Sequence, residues 1–337
     1  MKRPTPYFTF KRTSMKKAHT LGALAFAAAS IFALPAAHAL TVYSAGPGKL
    51  IDTLAADFKA RTGIQVDVFQ ADTGKVMARL QAEATNPRAD VVISASWDSA
   101  QDLDRRGMLV AHESPNAQKV APAYRQPNYV AQGLSVLSIV WNTRSNTPRP
   151  GDWTDLTLPA FKDKVTMPDP AQSGASLDLL SALQKRQSDK AWELFGSLKA
   201  NGMVISGPNA QAMNPVLQGA KAAVFGAVDY VALASQAKGE SIEVIFPRSG
   251  TVVAPRPMMV LKSSKAQDDA RKFIDFVLSP EGQARVADAY LIAARDDIAA
   301  KRMKLQDIKL LPEPQGNENH ASRAALLHRF STLFGRR

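Results

Sequence analysis

From Leu40 onward the chain alternates short β-branched runs with segments of helical period, and this alternation restricts it to an α/β architecture built on a mostly parallel sheet. Leu40 to Tyr43 reads as a strand, Ser44-Ala45-Gly46-Pro47-Gly48 as a loop, and Lys49 to Thr62 as a helix stopped by Gly63. Ile64 to Phe69 alternates with the period of a strand. Asp72-Thr73-Gly74 then opens a helix over Lys75 to Ala84, which Asn86-Pro87 breaks. Asp90 to Ile93 is a short apolar strand that runs into Ser94-Ala95-Ser96-Trp97.

Val130 to Trp141 and Val252 to Leu261 are longer, extended and apolar, and a second α/β series lies between them. It runs through a strand at Phe161 to Met167, a helix from Leu177 to Gln184, and a helix from Trp192 to Asn201. A strand at Val204 to Ser206 and a helix at Asn209 to Gly219 follow, with Pro215 inside that helix or at a turn. Ala222 to Gly226 is the next strand, and Asp229-Tyr230 opens the next helix. The simplest topology is two α/β lobes joined by two crossing strands, with a ligand cleft between the lobes. The amino-terminal lobe takes residues 40–132 and is completed by about 255–298; the second lobe takes 133–254. Ser263 to Gln283 reads as one helix and its cap. The basic tail, 299–337, ends in an amphipathic helix, Ala321 to Phe334.

Ahead of this lies a leader, residues 1–39. Lys16-Lys17 precede a 14-residue uncharged run, Leu21 to Leu34, which ends in Pro35 and then Ala37-His38-Ala39. A basic segment, a short apolar run and an A-x-A site form the pattern of a cleaved export signal. The run is shorter than the roughly 20 residues of a membrane-spanning helix. The mature chain is therefore expected to start near Leu40 in an extracytoplasmic compartment, the periplasm, with translation starting at Met1 or Met15. The leader holds six of the 42 basic residues and no acid, which leaves 36 cations against 30 acids, a net of +6. That mild excess suits a small anionic partner, but without clustered cations and interleaved aromatics it gives no nucleic-acid surface.

The chain has no cysteine, which excludes thiol catalysis, iron–sulfur clusters, cysteine-held zinc and a lipid anchor on an amino-terminal cysteine. The mature chain keeps only His112, His320 and His328, none spaced for a metal. Enzyme signatures are weak. Gly46-Pro47-Gly48-Lys49-Leu50 has the wrong spacing for a phosphate loop, and Ser235 with Lys238 matches S-x-x-K without companion motifs. Asp169 and Asp229 could pair as hydrolytic carboxylates, although helix capping accounts for each.

Three strand-to-helix junctions share one design: Ser44-Ala45-Gly46, Asp72-Thr73-Gly74 and Gln172-Ser173-Gly174-Ala175-Ser176. Small hydroxyl and glycine residues at a helix start present unpaired N–H groups and a positive partial charge, the setting in which anions bind. In open α/β sheets such loops gather at the carboxyl ends of the strands.

Leu40-Thr41-Val42-Tyr43-Ser44-Ala45-Gly46, Pro168-Asp169-Pro170-Ala171-Gln172-Ser173-Gly174-Ala175 and Val260-Leu261-Lys262-Ser263-Ser264-Lys265 resemble segments of the ferric-ion-binding type of periplasmic solute receptor. So does Ala270 to Leu278 closing on Ser279-Pro280-Glu281-Gly282-Gln283. The resemblance covers nearly all of the mature chain. It implies the type 2 periplasmic binding fold, no enzymatic activity, and delivery of solute to the membrane permease of an ABC importer; a monomer is expected. Receptors of this group take iron(III), thiamine, phosphonates or sugar phosphates.

The same resemblance implies a departure from iron. Iron receptors hold the metal with consecutive tyrosines, whereas Val228-Asp229-Tyr230-Val231 offers one. The loop equivalent to the one that holds the synergistic anion, Gln172 to Ala175, is intact, and Asn209 falls where another anion contact is expected. The expected ligand is therefore a small anionic solute, a phosphate ester or phosphonate, with no cofactor. It would be held by Ser44, Ala45, Gly46, Thr73, Gly74 and Ser94 from one lobe and by Gln172, Ser173, Gly174, Ala175, Asn209, Asp229 and Tyr230 from the other. Asp229 would accept from the ligand, Tyr230 would donate, and Arg256 in the second crossing strand would supply a bidentate donor. The alternative is iron(III) with a bound anion, using Tyr230, Asp229 and Tyr129. Thiamine lacks an aromatic pair near the loops.

Overall fold

Strand β1 (Leu40–Ser44) has an almost fully buried backbone run, as expected of a strand covered by helices on both faces. The computed structural model describes residues 39–112, 114–312 and 322–335, with Met1, Tyr7 and Thr9 besides. The leader expected over 1–39 otherwise lies outside the described residues. β1 pairs in parallel with β2 (Val66–Gln70) and β3 (Val91–Ile93), and the crossovers are α1 (Gly48–Thr62) and α2 (Thr73–Ala82). α3 (Trp97–Arg105), β4 (Leu109–Val110) and β5 (Arg125–Gln126) lead into β6 (Tyr129–Asn142).

The second series runs β7 (Val165–Met167), α4 (Gly174–Gln187), α5 (Asp189–Ala200), β8 (Val204–Ile205), α6 (Asn209–Leu217), β9 (Ala223–Val228), α7 (Asp229–Gln236) and β10 (Ile242–Ile245). β11 (Val253–Leu261), α8 (Gln267–Val277), α9 (Pro280–Asp288) and β12 (Ile292–Ala293) return to the first side, and α10 (Arg323–Leu333) ends the described chain. The strands follow the order β2-β1-β3-β11-β6-β9-β7-β8. β6 and β11, antiparallel to each other, are shared: β3 and β4 flank β11, while β9 and β10 pair with the far end of β6. The fold is α/β, with two lobes meeting on two crossing strands.

Each lobe has its own aromatic centre. Phe58 of α1 packs edge-on to Phe273 at 5.2 Å, and Phe225 of β9 lies 4.7 Å from Trp153 and 5.7 Å from Phe195. Burying each such ring is worth about 1.5–3 kcal/mol. The terminal helix α10 seats Phe330 on Phe195 at 5.6 Å and buries Leu326, so it packs against the second lobe.

Several boundaries differ from expectation for local reasons. The segment from Ser263 to Gln283 is two helices, because Ser279 accepts from the Gly282 N–H at 3.2 Å and Pro280 occupies the first helical position. Gly282 has no room for a side chain, since a Cβ would meet the carbonyls of Phe276 and Val277. Helix α4 begins at Gly174 rather than Leu177, because Ser173 caps it through the Ser176 N–H at 3.2 Å. The helix α3 and strand β10 had no clear sequence signal. Among the described residues no helix is long and apolar enough to cross a membrane.

Candidate functional site

The site grows from a flaw in the crossing ladder. Between Pro255 and Pro257 the register slips, two steps along β11 matching three along β6 from Leu134 to Ala131. Proline cannot donate to a ladder, and an irregularity of this kind re-aims the side chain beside it. That side chain is Arg256, 1% exposed. Its Nη2 donates to the Ala45 carbonyl at 2.5 Å, its Cζ lies 5.7 Å from the Tyr230 ring centre, and its Nε has no partner. No carboxylate pairs with it among the described residues.

The first predicted loop lies against this guanidinium, and the other two meet each other across the lobes. A Cβ on Gly46 would come 3.1 Å from Ser44 Oγ and 3.5 Å from Arg256 Nη2. The loops of the two lobes touch directly: the Gly74 N–H donates to the Gln172 carbonyl at 3.5 Å, and a Cβ on Gly174 would sit 2.8 Å from both Thr73 Oγ1 and the Ala95 carbonyl carbon. A side chain at Gly74 or Gly174 would hold the lobes apart. Ser173 Oγ donates to Asn209 Oδ1 at 3.0 Å, joining the starts of α4 and α6. Asp169 orders the same loop by accepting from the Ala171 N–H at 3.0 Å and Gln172 Nε2 at 3.1 Å, which accounts for it without hydrolytic chemistry. Beside Tyr230 opens a cleft of about 700 Å³, lined among others by Pro47, Lys49, Lys238 and Tyr290.

Three expected site residues are committed elsewhere. Asp229 is fully buried, accepts from the Val136 and Tyr230 N–H groups at 2.9 and 2.7 Å, and pairs with Arg302 at 2.7 Å. Burial pushes its carboxyl up to about 6 even against the pull of Arg302. With its oxygens so occupied it offers little to a solute or a metal. Ser94 is fully buried, and its Oγ accepts from the Ser96 N–H at 3.1 Å and from Ser99 Oγ at 2.6 Å, bonds that brace its own turn. Tyr129 packs edge-on to Trp97 at 4.9 Å, in a different apolar cluster from Tyr230, and burial raises its phenol against ionisation.

Other residues of the site had no sequence signal. Gln132 and Gly133 of β6 stand opposite Arg256 in the slipped register, and the buried Gln132 Oε1 has no partner. Asp178, one turn along α4 from Gly174, reaches across the cleft to accept from Ser96 Oγ at 2.7 Å and the Trp97 N–H at 3.2 Å. Burial pushes its carboxyl well above the usual range. Pro255-Arg256-Pro257 is the one signal that could have flagged the irregularity.

Residues 86–311 match the family model described as bacterial extracellular solute-binding protein. The chain belongs to that family. Its members are solute-binding components of ABC transporters rather than enzymes. Among relatives, this receptor is 27% identical over 239 residues to the phosphoglycerate transport regulatory protein PgtC of Salmonella typhimurium, covering 66% of this chain and 59% of that one. The receptor thus spans less than two thirds of PgtC. In structure it resembles the periplasmic binding protein AfuA from Actinobacillus pleuropneumoniae, solved with fructose-6-phosphate bound, with a TM-score of 0.80 and 21% identity over 88% of this chain and 98% of AfuA. Iron-bound HitA from Pseudomonas aeruginosa superposes with a TM-score of 0.73 and 22% identity over 88% of this chain and 98% of HitA. At these identities the likenesses show the type 2 periplasmic binding fold and leave the solute to the chemistry of the site.

Proposed function

We propose that this receptor works in the periplasm and captures a small solute carrying a phosphate or phosphonate group, handing it to the permease of an ABC importer. The observation that carries this reading is Arg256, buried between the lobes with a free Nε and no carboxylate partner among the described residues. A buried guanidinium needs an oxyanion to offset its desolvation, and its planar fork matches tetrahedral and carboxylate oxyanions in two-point contacts. Ser44 stands beside Gly46 near the same guanidinium, and the starts of α2 and α4, which carry Thr73 and Ser173 and meet across the lobes, favour negative charge. The cleft beside Tyr230 has room for the uncharged remainder of the solute. A solute bridging both lobes shifts the population toward the closed form. The phosphoglycerate in the name of PgtC and the fructose-6-phosphate bound to AfuA supply the same chemistry in relatives.

Iron(III) is the second reading, favoured by the likeness to HitA and by Tyr230 at the site. It is weaker because a hard trivalent cation needs several anionic oxygens, and Asp229 is taken by Arg302. Thermal unfolding of the metal-stripped mature chain with inorganic phosphate, fructose 6-phosphate, 2-aminoethylphosphonate, or Fe³⁺ plus citrate separates the two. A phosphorylated solute at 100 times its Kd adds about 2.7 kcal/mol of stability. That gain should vanish in Arg256→Met. Stabilisation by iron alone, persisting in Arg256→Met and lost in Tyr230→Phe, would replace the phosphate reading.

A further inference from the structure

The chain passes between the lobes a third time. After β12 it leaves the first lobe, and residues 309–311 bond to Thr251 beside the crossing strands, through Thr251 N–H to the Lys309 carbonyl at 3.0 Å and Leu311 N–H to the Thr251 carbonyl at 2.7 Å. Midway along that pass Arg302 inserts a guanidinium into the hinge. Its side chain is 1% exposed and faces Asp229, itself fully buried, at 2.7 Å. Nη1 also reaches the Tyr290 carbonyl at 3.3 Å, and Cζ lies 5.9 Å from the Phe246 ring centre.

What this pair grips is significant. Asp229 starts α7, and its two oxygens hold the amides of Tyr230, in the second lobe, and Val136, in the crossing strand. Tyr290 follows α9 of the first lobe and sits at φ 62°, a left-handed conformation that a bulky side chain adopts only when its surroundings impose it. One guanidinium therefore joins the second lobe, the crossing strand and a strained turn of the first lobe. Tyr230 and Tyr290 line the same cleft.

We propose that Arg302 is a positioning residue for the solute site, fixing the first turn of α7, and with it Tyr230, against β6 and the Tyr290 turn. The inference rests on Tyr230 being a solute contact. Arg302 itself touches no solute; it acts through Asp229.

Amide hydrogen exchange of the solute-free mature chain tests this, because the Val136 and Tyr230 amides report the Asp229 carboxylate directly. In Arg302→Met these two amides should exchange about tenfold faster while amides of α5 change less than about twofold. Arg302→Lys, which keeps the charge, should recover most of the protection. Affinity for fructose 6-phosphate should fall about tenfold in Arg302→Met and return in Arg302→Lys, with little further loss when Arg302→Met is added to Tyr230→Phe. Should Arg302→Met fail to fold, Arg302→Gln, which removes the charge and leaves Asp229 in place, gives the same amide readout. Uniformly faster exchange throughout, or unchanged exchange at Val136 and Tyr230, overturns the proposal. If exchange responds but Tyr230→Phe and Arg256→Met leave fructose 6-phosphate affinity unaltered, the phosphate reading of the site falls while the grip of Arg302 on α7 stands.

Discussion

Two arginines are buried at the hinge, and they differ in one respect. Each leaves one guanidinium nitrogen without a partner, but Arg302 has a carboxylate, Asp229, at 2.7 Å, whereas Arg256 has only the carbonyl of Ala45 and the face of Tyr230. A buried cation with its counter-charge inside the protein serves the fold. On the proposed function, one without it keeps its charge for a solute.

Removing each partner should pull the two regions apart. Asp229→Ala leaves Arg302 buried and uncompensated and should cost about 3–5 kcal/mol in urea unfolding of the mature chain. Arg256→Met should leave unfolding unchanged or raise stability, because it removes a buried charge, and yet abolish stabilisation by phosphorylated solutes. Equal destabilisation by both substitutions would erase the distinction between the two arginines.

The pH dependence sharpens the contrast. The Asp229 carboxyl stands at about 6 in the folded protein against 3.8 ordinarily. Between those values the folded chain keeps a proton that the unfolded chain has released. This carboxyl's contribution to stability therefore falls as pH rises from about 4 to about 6 and is level above, with a slope of at most about 1.4 kcal/mol per pH unit. Comparing wild type with Asp229→Asn across that window isolates the contribution, and identical profiles would contradict it. The smallest effect belongs to the loop at the start of α4. Ser173→Ala removes a cap and the bond to Asn209, and should cost about 1 kcal/mol of stability while weakening solute binding further.

Much of the fold could be read from the order of elements, because strand and helix periods differ and Gly63, Asn86-Pro87 and Gly202 punctuate them. The loops of the candidate site were legible for the same reason: Thr73 and Ser173 stand where α2 and α4 begin, and Ser44 closes β1 just ahead of α1. The functions of Asp229 and Ser94 were not. A carboxylate after a strand looks the same whether it meets a solute or an arginine 73 positions on, and only tertiary packing brings Arg302 to it. Ser94 reads as a cleft residue, and nothing in the sequence shows that Ser96 and Ser99 donate to its oxygen. The slipped register that aims Arg256 depends on two strands at once, so Pro255 and Pro257 hint at it without specifying the facing residues.

The third pass of the chain also sets an order of assembly. In an exported chain residues 40–132 emerge ahead of the second lobe, but α8 and α9, which complete the first lobe, follow it, and the segment bearing Arg302 follows them. Until it arrives, Asp229 has no counter-charge and Phe195 lacks the cover of Phe330. The second lobe can gather around Trp153, Phe195 and Phe225 before the first completes its Phe58–Phe273 pair, and the Asp229–Arg302 pair of the hinge closes after both.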